Sequence, residues 1–398
     1  MKQNVFLLAL AQAVMMSGGV LLFATGSLLG NWMASDKALA TLPLALQMAA
    51  SLATTVPASF LMARIGRRNG FLLGAAVAVC GAALAAFSIL QHSFWLFCAA
   101  AALMGVFTGF GNYFRFAAVD AATPEYRARA VSYVLAGGVI AALVGPNLAT
   151  WGWRLLPAVE FAGGYAMLAG LYLFSFLLLM WLDIPRPSAS NTHTGRPLIE
   201  IVRQPVVVTA MVAGALGYGV MALVMTATPL AMHGYAMHYN DTAFVIEWHV
   251  LGMFVPSFVT GRLIQRFGVW NVMIAGVLLN ALCVTINLLG TSLQHFWMAL
   301  LLLGVGWNFL FIGATSMLTL GYRSAEQAKA QAANDFVVFG VTTLAVLSAG
   351  GLQFHFGWRM VNLGVVPAIV AVFVALLWLR RVPAWTVVAE PASARGEA

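Results

Sequence analysis

Acidic residues are scarce in this chain. Only 12 Asp and Glu occur among 398 residues, and all charged residues together reach 8%. A soluble domain carries about a quarter of its residues charged, so a water-soluble globular protein of this length is excluded. The same shortage removes the shared carboxylate pairs of many enzymes; neither an activated nucleophile nor a phosphate-binding loop is found, so no enzyme class is indicated. Cysteine is equally sparse: Cys80, Cys98 and Cys283 form no CxxC spacing and read as small apolar fillers. The glycine-rich run GVFTGFGN (105–112) follows no strand and lies in an apolar stretch. It reads as a close helix contact, not a nucleotide loop.

What fills the chain is apolar: 62% of residues are hydrophobic and mean hydropathy is +0.91. Uncharged stretches recur at the length of about twenty residues that a bilayer crossing needs. Twelve spans are expected, at 5–32, 40–63, 71–90, 94–118, 130–150, 156–182, 205–232, 241–261, 269–289, 295–320, 331–353 and 361–380. The first is too long for a signal-peptide core and is read as retained. With the N-terminus in the cytoplasm, all of the 20 Lys and Arg except Lys37, Arg154 and Arg359 lie inside, as the positive-inside rule requires. The net charge of +8 thus reports topology, and no nucleic-acid partner is needed to explain it. The expected partner surface is the lipid bilayer.

A polar stretch divides the spans six and six. The reading is an N-terminal half (1–182), a cytoplasmic linker (183–204), a C-terminal half (205–382) and a cytoplasmic tail (383–398). SFLMARIGRRNG (59–70) echoes SFVTGRLIQRFG (257–268), with Ser59, Phe60, Arg64, Arg68 and Gly70 falling on Ser257, Phe258, Arg262, Arg266 and Gly268. PEYRARAVSYVLAGG (124–138) echoes AEQAKAQAANDFVVFG (325–340) in the same way. Two six-helix halves with basic, glycine-bearing loops after spans 2 and 8 resemble the major facilitator superfamily. That resemblance implies an all-α fold of twelve transmembrane helices in two pseudo-repeated halves, with substrate bound at mid-membrane between them. RIGRRNG (64–70) keeps the basic end of the superfamily's loop motif but lacks its acid, so the gating ion pair expected there has no obvious partner.

Two helical pairs stand near the expected midplane: Met221 with Met225 in span 7, and His249 with Met253 in span 8. A spacing of four puts each pair on one helix face, and thioether plus imidazole is a soft, neutral set that suits Cu(I). An ionisable His at that depth is a functional candidate by default. The short connection between the spans makes them an antiparallel pair able to bring the faces together. MALVM (221–225) with HVLGM (249–253) resembles the CcoA-like copper importers of the major facilitator superfamily. The resemblance implies copper as transported substrate, bound by these four residues with no permanent cofactor. It further implies a bacterial inner membrane, copper donors or acceptors on either side, and supply of a haem-copper cytochrome oxidase.

Around this site, Met232, His233, Met237 and His238 in AMHGYAMH (231–238) are candidates for periplasmic metal capture. Glu247, Arg115, Asp120 and Asp335 are candidates for coupling or gating, with Arg115 pairing Asp120 near the cytoplasmic gate. Asn112, Asn147 and Asn334 are further polar points. A competing reading comes from Tyr218, Trp248, Phe110, Tyr113, Trp307 and Phe309, rings near the midplane able to sandwich a flat heterocycle. Relatives of the copper importers are riboflavin transporters, which makes riboflavin or another small organic solute the alternative substrate. Drug export is a second rival, and a membrane-embedded assembly factor is the non-transporter one.

Overall fold

A computed structural model describes residues 2–123, 127–157, 159–184, 196–323 and 326–382. Residues 185–195 of the expected linker, with Arg186, and the tail from 383, with Arg395, lie outside the described residues, as do the side chains of Arg127 and Arg129. Among the described residues there is helix and turn but no strand.

The chain runs through α1 (Lys2–Met33), α2 (Leu42–Ile65), α3 (Arg67–Leu90), α4 (Phe94–Gly111) with its short continuation α5 (Phe114–Asp120), α6 (Arg127–Trp153) and α7 (Ala162–Leu179). Then come α8 (Leu198–Val202), inside the expected linker, and after it α9 (Pro205–Gly234), α10 (Tyr239–Phe254), α11 (Ser257–Phe267), α12 (Val269–Leu289), α13 (Leu293–Leu318) and α14 (Gln327–Arg380). Among the described residues nine helices are long and apolar enough to cross a membrane, or ten if α10 and α11, bent by 43°, form one crossing. The fifth expected span falls on α6. α14 has 54 residues, about 80 Å of helix, against a hydrocarbon core roughly 30 Å thick. Gly357, with φ 72 and ψ 176, breaks it, and the two limbs take the eleventh and twelfth spans.

Successive crossings alternate, so the helix ends gather at two levels. A near end carries residues 2, 66, 120, 203, 268 and 380; a far end carries the turns at 34–41, 91–93, 154–157 with 159–161, 235–238, 290–292 and 357. The internal repeat is visible at the near end in a register four residues from the one the sequence echo gives. Gly66 (φ 87, ψ 155) separates α2 from α3, and Gly268 (φ 82, ψ 150) separates α11 from α12. A positive φ is cheap only for glycine, so backbone conformation pairs Gly66, not Gly70, with Gly268.

Buried apolar residues fall into two clusters. One is drawn from 5–182 with Ala222 and Val346; the other is drawn from 201–379 with Val20, Ala24, Ala141 and Ala142. Lipid offers no hydrophobic drive for helix association, so small residues that admit close backbone approach do that work. At the α6–α7 crossing, a Cβ on Gly152 would fall 2.0 Å from the Gly164 nitrogen, and one on Gly163 would fall 2.0 Å from the Gly152 carbonyl oxygen.

The linker's last residues are strapped to the second cluster. Arg196 donates from Nε to Glu326 Oε1 at 2.8 Å and from a terminal nitrogen to Oε2 at 2.7 Å, a bidentate pair, which is the strong form of such contacts. Gln204 donates to the Gly321 carbonyl at 2.7 Å beside it. The Arg196 guanidinium first, then the Arg323 amide, holds the Glu326 carboxyl far below its usual range. A depressed carboxyl contributes its stabilisation above the unfolded value and loses it only as pH falls through the folded one, so the strap persists throughout pH 5–8. Glu326→Gln is expected to free the linker, read as faster limited proteolysis between residues 185 and 204, with the wild-type rate constant across that pH window.

Candidate functional site

At the edge of the second cluster stands a ring platform contributed by four helices. Tyr218 on α9 meets Trp307 edge-on at 5.2 Å, Phe311 at 5.6 Å and Phe339 at 5.9 Å; Trp307 and Phe311, one turn apart on α13, stack at 4.9 Å and 9°. Phe254, the last residue of α10, approaches Trp307 at 6.2 Å. Tyr218, Trp307 and Phe254 each lie within a turn of the midpoint of their crossing, and Phe339 lies as close to the middle of the first limb of α14. The platform therefore stands at mid-depth. Tyr218 packs against both clusters, as do Met16 and Phe23 of α1, so the platform faces the seam between them. Trp307 is buried, yet its indole Nε1 finds no hydrogen-bond acceptor among the described residues.

The sequence singles out Tyr218 and Trp307 but not Phe254, Phe311 and Phe339. Phe311 was within reach, since it follows Trp307 by four residues on one helix face. The other rings named there stand elsewhere. Trp248 packs with Phe244 and Trp297, Phe110 lies against Gly74 of α3, Tyr113 donates to the Thr55 carbonyl at 2.9 Å, and Phe309 lies against Gly276 of α12.

At the far end the two clusters are fastened together. Tyr239 on α10 donates to the Pro146 carbonyl of α6 at 2.9 Å, and Asn147 donates to the Glu247 carboxylate at 3.2 Å. Thr41 accepts from the Gly350 amide at 3.1 Å and donates to the Leu347 carbonyl at 3.3 Å. At the near end Asp120 pairs with Arg67 at 2.5 Å, not with Arg115 as expected. Arg67 opens α3 directly after the Gly66 break and so reaches α5, whereas Arg115 stacks over Phe116 at 4.8 Å. The motif's missing acid is thus supplied from the end of the fourth crossing. Asp335 accepts from Asn334 at 3.2 Å and lies within coulombic range of Arg115.

Met221, Met225, His249 and Met253 are all buried in the second cluster. The expected face-to-face pairing of their helices is not formed: α9 packs chiefly on α14 and α13, α10 packs on α13 and α6, and the two touch sparsely. His249 Nδ1 donates to the Leu300 carbonyl at 2.7 Å, while its Nε2 has no partner among the described residues. Nor do the four loop candidates converge. Met232 is buried, His233 is exposed, Met237 packs at the edge of the second cluster, and His238, exposed at the start of α10, donates its backbone amide to the Asp241 carboxylate at 3.2 Å.

Residues 6–246 match the profile of the Major Facilitator Superfamily. The chain belongs to that superfamily. The riboflavin transporter RfnT of Brucella anthropi is 42% identical over 380 residues, covering 94% of this chain and 95% of the relative. The uncharacterized MFS-type transporter YdeG of Bacillus subtilis is 26% identical, over 85% of this chain and 82% of its own length. The nucleoside transporter NupG, at 13% identity, superposes with a TM-score of 0.74 over 94% of this chain and 99% of its own; that likeness concerns the fold. The match to RfnT overturns the expectation of copper import and, with it, the copper partners and the link to cytochrome oxidase. The physical reason for the error lies in the motifs: a four-residue Met or His spacing marks one helix face and is equally a packing stripe. Superfamily membership stands; the narrower resemblance to copper importers does not.

Proposed function

We propose that this protein is a riboflavin transporter, working by alternating access in a bacterial cytoplasmic membrane with both termini inside. The observation that carries the reading is the ring platform at mid-depth on the seam. A tricyclic isoalloxazine is flat and apolar on its faces and polar at its edges. Edge-on and stacked rings suit the faces, and the unpartnered Trp307 Nε1 suits an edge acceptor. The 42%-identical relative named as a riboflavin transporter supports the same substrate, and the basic residues at the near end support the orientation.

Riboflavin is uncharged at neutral pH, so the membrane potential does no work on it alone, whereas one co-transported cation gains about 2.3 kcal/mol per 100 mV. Concentrative uptake thus calls for coupling. Glu247 and Asp335 are the carboxylates within the crossings that would carry a proton, and the Arg67–Asp120 pair with nearby Arg115 would serve the near-end gate. The test is growth. A riboflavin-auxotrophic bacterium without its own transporter should grow at low external riboflavin when it expresses this protein, and equal failure of vector and protein would refute the assignment.

A further inference from the structure

The break in the eighth crossing is held from outside by one side chain. α10 ends at Phe254, α11 starts at Ser257, and their axes differ by 43°. Pro256 between them has no amide hydrogen to offer the Gly252 carbonyl, and within a bilayer such a break needs protein groups to satisfy its backbone. Asn308, buried in the middle of α13, reaches across. Its Nδ2 donates to the Met253 carbonyl at 2.7 Å and to Ser257 Oγ at 2.6 Å, while its Oδ1 accepts from Thr260 Oγ1 at 2.6 Å. One partner lies before the break and two lie after it.

Its neighbours in the chain belong to the ring platform. Trp307 precedes Asn308, Phe254 follows Met253, and the two rings are in contact at 6.2 Å. Thr260 has one hydroxyl hydrogen and two acceptors in reach, Asn308 at 2.6 Å and the Pro256 carbonyl at 2.8 Å. Turning that hydrogen to Pro256 gives up one of the two bonds to α11, and the Ser257 bond remains.

We propose that Asn308 is a positioning residue: it fixes the angle of the split helix α10–α11 and thereby sets Phe254 against Trp307. The clamp is independent of what is transported; only its effect on uptake rests on the riboflavin reading. It is tested by electron–electron double resonance between spin labels at Arg262→Cys on α11 and Thr319→Cys at the end of α13, after Cys80, Cys98 and Cys283 are replaced by alanine. The intact clamp should give one narrow distance distribution. Asn308→Ala should broaden or shift it, and Thr260→Val, nearly isosteric, should do so to a lesser degree; should Asn308→Ala fail to fold, Thr260→Val and Ser257→Ala decide. In uptake, the apparent KM should rise about tenfold, the equivalent of about 1.4 kcal/mol, with maximal rate changed much less. Unchanged distance distributions would overturn the clamp. If the wild type moves no riboflavin, the distances still decide, so failure of the clamp and failure of the substrate assignment are told apart.

Discussion

Trp307→Ala is expected to reduce riboflavin uptake at low substrate to the background of empty cells. Trp307 is the hub of the platform, stacked with Phe311 at 4.9 Å and edge-on to Tyr218 at 5.2 Å. Stacking of a flat heterocycle on an aromatic side chain contributes about 1–3 kcal/mol, and a buried substrate acceptor left without the indole N–H costs about as much again. Together they amount to a loss on the order of a hundredfold or more in uptake efficiency. Truncating a buried Trp also costs about 3–5 kcal/mol of stability, so uptake must be scaled to the amount of folded protein recovered from the membrane. Trp307→Phe separates the contributions. It keeps a ring face and removes Nε1, and should retain uptake with a KM raised about tenfold, a net hydrogen bond's worth. The measurement is initial rate against riboflavin concentration for wild type and both variants; equal efficiency in all three would remove Trp307 from the site.

Gly152→Val is expected to prevent accumulation of the protein altogether. Its Cβ would stand 2.0 Å from the Gly164 nitrogen and 2.4 Å from the Gly163 carbonyl carbon, so the clash is with backbone on a facing helix. A flexible side chain can move aside; two helix backbones in contact cannot without parting. Overpacking typically costs about 1–3 kcal/mol, and here the whole α6–α7 contact must open, which exceeds that range. Gly170→Ala on α7 is the control, because a Cβ there meets nothing within 4 Å and alanine gains about 1 kcal/mol of helix propensity. Membrane abundance and thermal midpoint, followed by the fluorescence of a fused reporter, check both. Normal abundance of Gly152→Val would contradict the packing.

The crossings were legible because bilayer thickness leaves a mark in the sequence: an uncharged run of about twenty residues, with basic residues gathered at every second turn. Even α14 divides where the spans at 331–353 and 361–380 require, at Gly357. The finer register was not legible. The echo of 59–70 on 257–268 aligned side-chain identity, whereas the repeat is built on two positive-φ glycines, Gly66 and Gly268. Substrate was misread for a related reason. Met221, Met225, His249 and Met253 have spacing and chemistry that fit a metal, but spacing within a helix says nothing about which neighbour the face meets. α10 turned out to meet α13, where His249 takes the Leu300 carbonyl. The rings Tyr218 and Trp307 were noticed in the sequence, yet only the fold could join them, since they come from separate helices and gain meaning from Phe254, Phe311 and Phe339. The Asn308 clamp left no motif, because its partners are a carbonyl and two hydroxyls more than forty positions away.

The most direct test is flux of radiolabelled riboflavin into proteoliposomes that contain only the purified protein. The expected result is time-dependent accumulation above protein-free liposomes, saturable, competed by unlabelled riboflavin, and lost in Trp307→Ala protein that is folded by size-exclusion profile. Riboflavin entry no faster than into protein-free liposomes, under every combination of pH gradient and potential, would contradict the assignment.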